Sequence, residues 1–167
     1  EQLRDSLKAS TESVKSPRLG DRLLATGVDV LDEALDGGFP SGSLIELVGR
    51  KSAGTTSLAV SLAASVSESG EDVAWIDPHN TLDPQSLLEV GVDTERFLWI
   101  RPHSHQLKHS LRATETVLDG GGFGLVVVDL LERGRGKPNL PLSVWVRLAK
   151  RLEHRNTTCV ILRNYPG

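Results

Sequence analysis

Short apolar runs alternate with longer stretches of helical periodicity over most of the chain. The runs are LIELV at Leu44–Val48, VAWID at Val73–Asp77, FLWI at Phe97–Ile100, LVVVD at Leu125–Asp129 and TCVIL at Thr158–Leu162. Each is short and apolar on both faces, which predicts strands of a sheet covered on two sides. Between them, Thr56–Ser69, Pro84–Val90, His105–Leu118 and Leu142–His154 carry apolar residues at three- and four-residue spacing and are predicted helices. In the last of these, Leu142, Trp145, Leu148, Ala149 and Leu152 share a face. Another helix is predicted over Asp29–Leu35, stopped by Gly37-Gly38, with a turn at Pro40-Ser41-Gly42. Strand–helix alternation of this kind implies right-handed crossovers and an α/β fold with a mainly parallel sheet. Such sheets bind ligands at the carboxyl ends of their strands, so the residues after Val48, Ile76, Ile100, Val128 and Leu162 matter most.

Composition narrows the picture. A length of 167 residues suits one domain with a sizeable core. Residues 1–22 are polar and read as an arm or linker, partly disordered, with a short helix near Leu3–Leu7; residues 23–167 read as the domain. With 38% hydrophobic and 25% charged residues, the chain is too apolar for general disorder. No apolar run is long enough to span a bilayer, and no signal peptide is visible. The lone cysteine, Cys159, excludes an internal disulfide and a Cys-rich zinc site, and points to a reduced, cytoplasmic setting. A start at Glu1 instead of Met suggests a trimmed or processed chain. The net charge of -3 gives no global attraction to nucleic acid, but leaves room for a local basic face.

The first strand leads into Gly49-Arg50-Lys51-Ser52-Ala53-Gly54-Thr55-Thr56. This has the length and both glycines of a phosphate-binding loop, set between a buried strand and a helix. Its backbone N–H groups would curl around a phosphate, with the helix N-terminus behind them. Thr56 sits where the Mg²⁺-binding hydroxyl belongs, but the lysine position holds Thr55, which supplies no cation. Three readings stay open: an inherited turn that no longer grips a nucleotide, weak binding of ATP with Mg²⁺ or of phosphate or sulfate, and hydrolysis with Arg50 or Lys51 standing in for the lysine. The fourth strand ends in Asp129, the pattern that places a carboxylate near Mg²⁺. A solvated strand end, or a carboxylate bonding the loop threonines, would read the same way.

The stretch ATGVDVLDEALDGGFPSGSLIELVGRKSAGTTSLA resembles the entry to the RecA/RadA recombinase core. The likeness continues through AWIDPHNTLDPQSLLEVGVDTERFLWIRP and resumes at LVVVD and RLAKRLEHRNTTCVILRN, covering roughly Leu24 to Asn164. The resemblance implies a RecA-like fold with sheet order Phe97–Ile100, Val73–Asp77, Leu125–Asp129, Thr158–Leu162, Leu44–Val48. It also implies that further strands would follow the fifth, so that the phosphate-loop strand lies at or near a sheet edge here. The departures are as informative. The family's catalytic glutamate falls at His79, its adenine-stacking tyrosine at Ser86, and its sensor glutamine at Asn164. Losing the carboxylate base and the aromatic platform together points away from turnover. The segment after Asp129, LLERGRGKPNLP, is also shorter than the family's first DNA-binding loop region.

Within that family the entry motif and the missing lysine are most similar to the ImuA branch of bacterial translesion mutagenesis. That likeness implies an adaptor with no catalytic residues, acting in the DNA damage response beside an ImuB-like polymerase homologue and a DnaE2-type polymerase, with RecA as a further partner. It implies a bacterial, nucleoid-associated location and no membrane contact. A weak DNA-stimulated ATPase, and a division inhibitor or recombination regulator binding through the same core, are the alternatives.

Two surface patterns remain. Arg147, Lys150, Arg151 and His154 recur on one side of the last helix, after Arg133, Arg135 and Lys137 in the preceding loop. Together they would make a basic patch for weak single-stranded DNA or partner binding, or simply a solvated helix face and loop. His105 and His109 have the spacing of a helical metal pair, but no third ligand lies nearby and no metal is expected. Trp75, Trp99, Trp145 and Cys159 read as core.

Overall fold

The computed structural model describes residues 22–50, 52–131 and 140–164. A two-residue strand, β1 (Leu23–Leu24), precedes a short helix, α1 (Asp29–Ala34), and pairs antiparallel with β2 (Phe39–Pro40). Then follow β3 (Leu44–Gly49), α2 (Thr55–Glu68), β4 (Asp72–Ile76), α3 (Pro84–Val90), a 3₁₀ turn at Thr94–Arg96 and β5 (Phe97–Ile100). The chain continues through α4 (Leu107–Gly120), β6 (Phe123–Asp129), α5 (Leu142–Leu152) and β7 (Thr158–Asn164).

The five longer strands form one parallel sheet in the order β3-β7-β6-β4-β5. This is the order the resemblance implied, and it leaves the phosphate-loop strand β3 at an edge among the described residues. The strands at the centre read as near-continuous aliphatic runs because helices cover both faces. One core cluster joins Leu62, Ala63 and Val66 of α2 to Trp75, Val127 and Val160. The other joins Leu118 of α4 and Leu148 and Leu152 of α5 to Ile76, Val128 and Ile161. Ala59, Ala63 and Ala64 let α2 lie close to the sheet while keeping good helix propensity. Sequence also sets the ends of α3: Asp83 accepts from the backbone N–H of Gln85 and Ser86, Pro84 opens the helix, and Gly91 closes it in a left-handed conformation.

Several boundaries differ from the periodicity. α4 begins at Leu107, beyond His105, because Gln106 keeps an extended ψ of 129° and its N–H donates to Ser104 Oγ. α5 stops at Leu152, since Glu153 turns extended and His154 takes a positive φ of 62°. Of the three tryptophans, only Trp75 is wholly buried; Trp99 lies in the edge strand β5 and Trp145 on the flank of α5, both half-buried. The predicted helix near Leu3–Leu7 lies outside the described residues.

Candidate phosphate and nucleotide site

Parallel register lines up the strand ends. Gly49 pairs with Asn164, Asp129 with Leu162, and Ile76 with both Val128 and Ile100. The carboxyl edge of the sheet therefore carries Gly49, Asn164, Asp129 and Asp77 in spatial sequence, as the topology rule required.

The loop after β3 keeps the backbone of an anion cradle. Ser52 and Gly54 have positive φ angles of 64° and 82°, and Ala53 N–H donates to Arg50 C=O at 3.0 Å. No side chain caps α2 and no acidic residue stands in its first turn, so its first amides face the loop without a competing carboxylate. Gly49 is required here: a Cβ would overlap the Thr55 hydroxyl and lie 3.2 Å from Ala53 Cβ. The Thr55 hydroxyl thus sits against the loop's own backbone, and a short neutral side chain stands where a long cation would extend outward. Thr56 is half-buried in the same turn, and Arg50 is exposed. Lys51 lies outside the described residues. Beside the loop, Val28, Leu31, Leu47, Val48 and Leu58 line a cleft of about 480 Å³ together with Gly49, Ala53, Gly54, Thr55 and Ser57. Its walls are largely aliphatic, and among the described residues no aromatic ring lines it as a platform for a base.

Asp129 is 2% exposed and accepts from Leu131 N–H at 3.0 Å. Burial raises its pKa from 3.8 to about 6, the Leu131 N–H opposes the shift, and the Asp77 charge adds to it. No cationic side chain among the described residues holds it down. Asp77, 1% exposed, is saturated by Thr81 N–H, Leu82 N–H and Trp99 Nε1–H. Asp77 follows Ile76 at a strand end, and VAWID carries the same apolar-run-then-acid signal as LVVVD. The donor set fits a phosphate held by backbone amides.

His79 lies just past Asp77, half-buried, and stacks on His105 with ring centroids 5.3 Å apart and planes 7° from parallel. His105 Nδ1 meets the Pro78 carbonyl. The i, i+4 spacing of His105 and His109 does not become a pair: His109 packs on His103 instead, at 4.7 Å. His105 lies before the helix starts, so the i, i+4 geometry never forms. Desolvation first, then the neighbouring His103, Lys108 and Arg112 charges, push the His109 pKa below the usual histidine range. Among the described residues no three His, Cys, Asp or Glu side chains are placed to hold a metal ion. Ser86 is exposed on α3, where its hydroxyl donates to Asp83 at 2.7 Å as part of the helix cap.

The described part of the proposed basic patch carries ion pairs within the protein. Arg147 pairs with Glu115 at 2.5 Å, and Arg151 with Asp119 at 3.0 Å and Glu115 at 3.6 Å, because α4 and α5 lie side by side. Lys150 is exposed, while Arg133, Arg135 and Lys137 fall outside the described residues. Cys159 is fully buried, and burial pushes its thiol up to about 12, as a small core residue requires. No described helix is long and apolar enough to cross a membrane.

Comparison with known proteins agrees with this geometry. The RecA N-terminal domain family matches residues 14–134. The RecA protein of Acidothermus cellulolyticus is 34% identical over 119 residues, covering 67% of this chain and 34% of the relative. That of Nocardioides sp. is 35% identical over 119 residues, covering 67% and 33%. The chain thus spans about a third of the length of these relatives. Among solved structures, the RadB recombinase superposes with a TM-score of 0.67 at 25% identity, covering 85% of this chain and 70% of that one.

Proposed function

Because the chain belongs to the RecA N-terminal domain family, we propose that it is a repair-related member of it that has given up ATP turnover and works as an adaptor. The observation that carries this is Thr55. Its hydroxyl packs over Gly49 at the position that needs a cation bridging the β- and γ-phosphates. His79, held in a stack on His105, stands where a carboxylate base would activate water. The loop amides of residues 52–54 and the first turn of α2 would still hold a phosphate group weakly. Thr56 and Asp129 would face any Mg²⁺ that came with a nucleotide, whose part would be to neutralise phosphate charge.

The adaptor role we assign is in bacterial translesion synthesis, with an ImuB-like polymerase homologue as direct partner and a DnaE2-type polymerase in the same complex. The ImuA-like entry motif without its lysine supports this reading, as does the pairing of Arg147 and Arg151 within the protein, which leaves less charge for DNA.

ATP turnover by the protein, with and without single-stranded DNA, is expected at background. Thr55→Lys restores the missing cation and should tighten ATP binding at least about tenfold, roughly 1.4 kcal/mol. Wild-type turnover that Asp129→Ala abolishes would favour the weak ATPase instead. Co-purification tests the partner separately. An ImuB-like polymerase homologue should be retained on immobilised protein in the presence or absence of ATP, and failure to retain it removes the adaptor role while leaving the ATPase result intact.

A further inference from the structure

His79, His103, His105 and His109, all but one of the chain's five histidines, lie in the connections at the carboxyl edge of β4 and β5 and in the first turn of α4. They form two pairs of different geometry. The His79 and His105 rings are stacked with planes 7° apart, so their in-plane lone pairs run in parallel planes and do not converge. The His103 and His109 rings are tilted by 45° with centroids 4.7 Å apart, so their planes intersect. A zinc ion about 2.0–2.1 Å from one nitrogen of each ring would place the centroids roughly 5 Å apart at a near-tetrahedral angle. His109 Nδ1 is buried and has no hydrogen-bond partner among the described residues. Such an atom has given up its hydration with no protein hydrogen bond in exchange.

We propose that His103 and His109 form a two-imidazole chelate for a borderline-soft divalent ion of the Zn²⁺ or Ni²⁺ kind, with water filling the remaining positions. Two nitrogens and no carboxylate select against Mg²⁺ and Ca²⁺, which prefer oxygen. The neighbouring Lys108 and Arg112 charges oppose a cation, so the site is of modest affinity and exchangeable. Bound metal would tie the connection leaving β5 to the first turn of α4. That connection also carries His105, the stacking partner of His79.

Calorimetric titration with Zn²⁺ and with Ni²⁺ at about pH 7.5, where free histidine is neutral, tests this, with Mg²⁺ as the hard-ion control. One ion per chain is expected, with no Mg²⁺ signal at that site. His103 is exposed, so His103→Ala keeps the fold and should weaken binding at least about tenfold, since one of two ligands is gone. His105→Ala should bind as the wild type does. No Zn²⁺ or Ni²⁺ binding by the wild type overturns the proposal, as does unchanged binding by His103→Ala. Loss in His105→Ala equal to that in His103→Ala overturns it too, because the ion then belongs to the other pair.

Discussion

Asp129→Asn is expected to stabilise the protein by up to about 3 kcal/mol at neutral pH. The carboxyl is 2% exposed, and burial lifts its pKa from 3.8 to about 6, with Asp77 contributing. A group whose folded-state pKa is raised favours folding fully below its unfolded value. That advantage is lost as pH rises through the folded value, so the loss runs from about pH 4 to pH 6. Above it, the ionised carboxylate is retained at a cost. Asparagine keeps an acceptor for Leu131 N–H and carries no charge. Urea unfolding at pH 7.5 and pH 4, conditions about 3.5 units apart on either side of this window, should show a large gain at the first and little at the second. Equal gains at both would mean that packing, not charge, sets the difference. The same result bears on function, since a protein that keeps a costly buried acid does so for a ligand or by inheritance.

Gly38→Ala should cost at least about 3 kcal/mol and lower the melting temperature by on the order of 10 °C. Gly38 has φ 127°, outside the range that L side chains favour. An added Cβ would also run into the Leu24 carbonyl, with Leu24 C at 2.6 Å and Ala25 Cα at 2.9 Å. These are backbone atoms at the end of β1 and just after it, so relief means prying apart the Leu24–Phe39 pair between β1 and β2. Leu24 is itself part of the core cluster under α2, and the damage would reach the sheet. Gly120→Ala is the control. It has no positive φ and nothing within 4 Å of its Cβ position, so it should be neutral or slightly stabilising. Similar losses in both variants would show that the Gly38 contact is not the cause.

Much of this molecule follows from patterns along the chain. Aliphatic runs with no polar face predict buried parallel strands, and all of the predicted runs are strands of the observed sheet. Helix starts were legible where a side chain or a proline sets them, as Asp83 and Pro84 do for α3. Helix limits set by backbone dihedrals, the start after Gln106 and the end before His154, are not legible, because helical periodicity says nothing of φ and ψ. The site divides along the same line. The loop glycines, Thr55 and Asp129 stand out as residue types at fixed spacing, so the lost cation is visible without coordinates.

What the chain could not show is which residues meet across elements. Arg147 and Arg151 read as a free basic face until α4 brings Glu115 and Asp119 beside them. His109 reads as a partner of His105 until the start of α4 turns His105 onto His79 and leaves His109 to His103. Asp129 reads as an ordinary carboxylate until burial and Asp77 raise its pKa. Local spacing determines secondary structure and motif because those depend on neighbours in sequence. Charge state, ion pairing and ring stacking depend on distances between segments and on desolvation, which only the folded sheet and its helices supply.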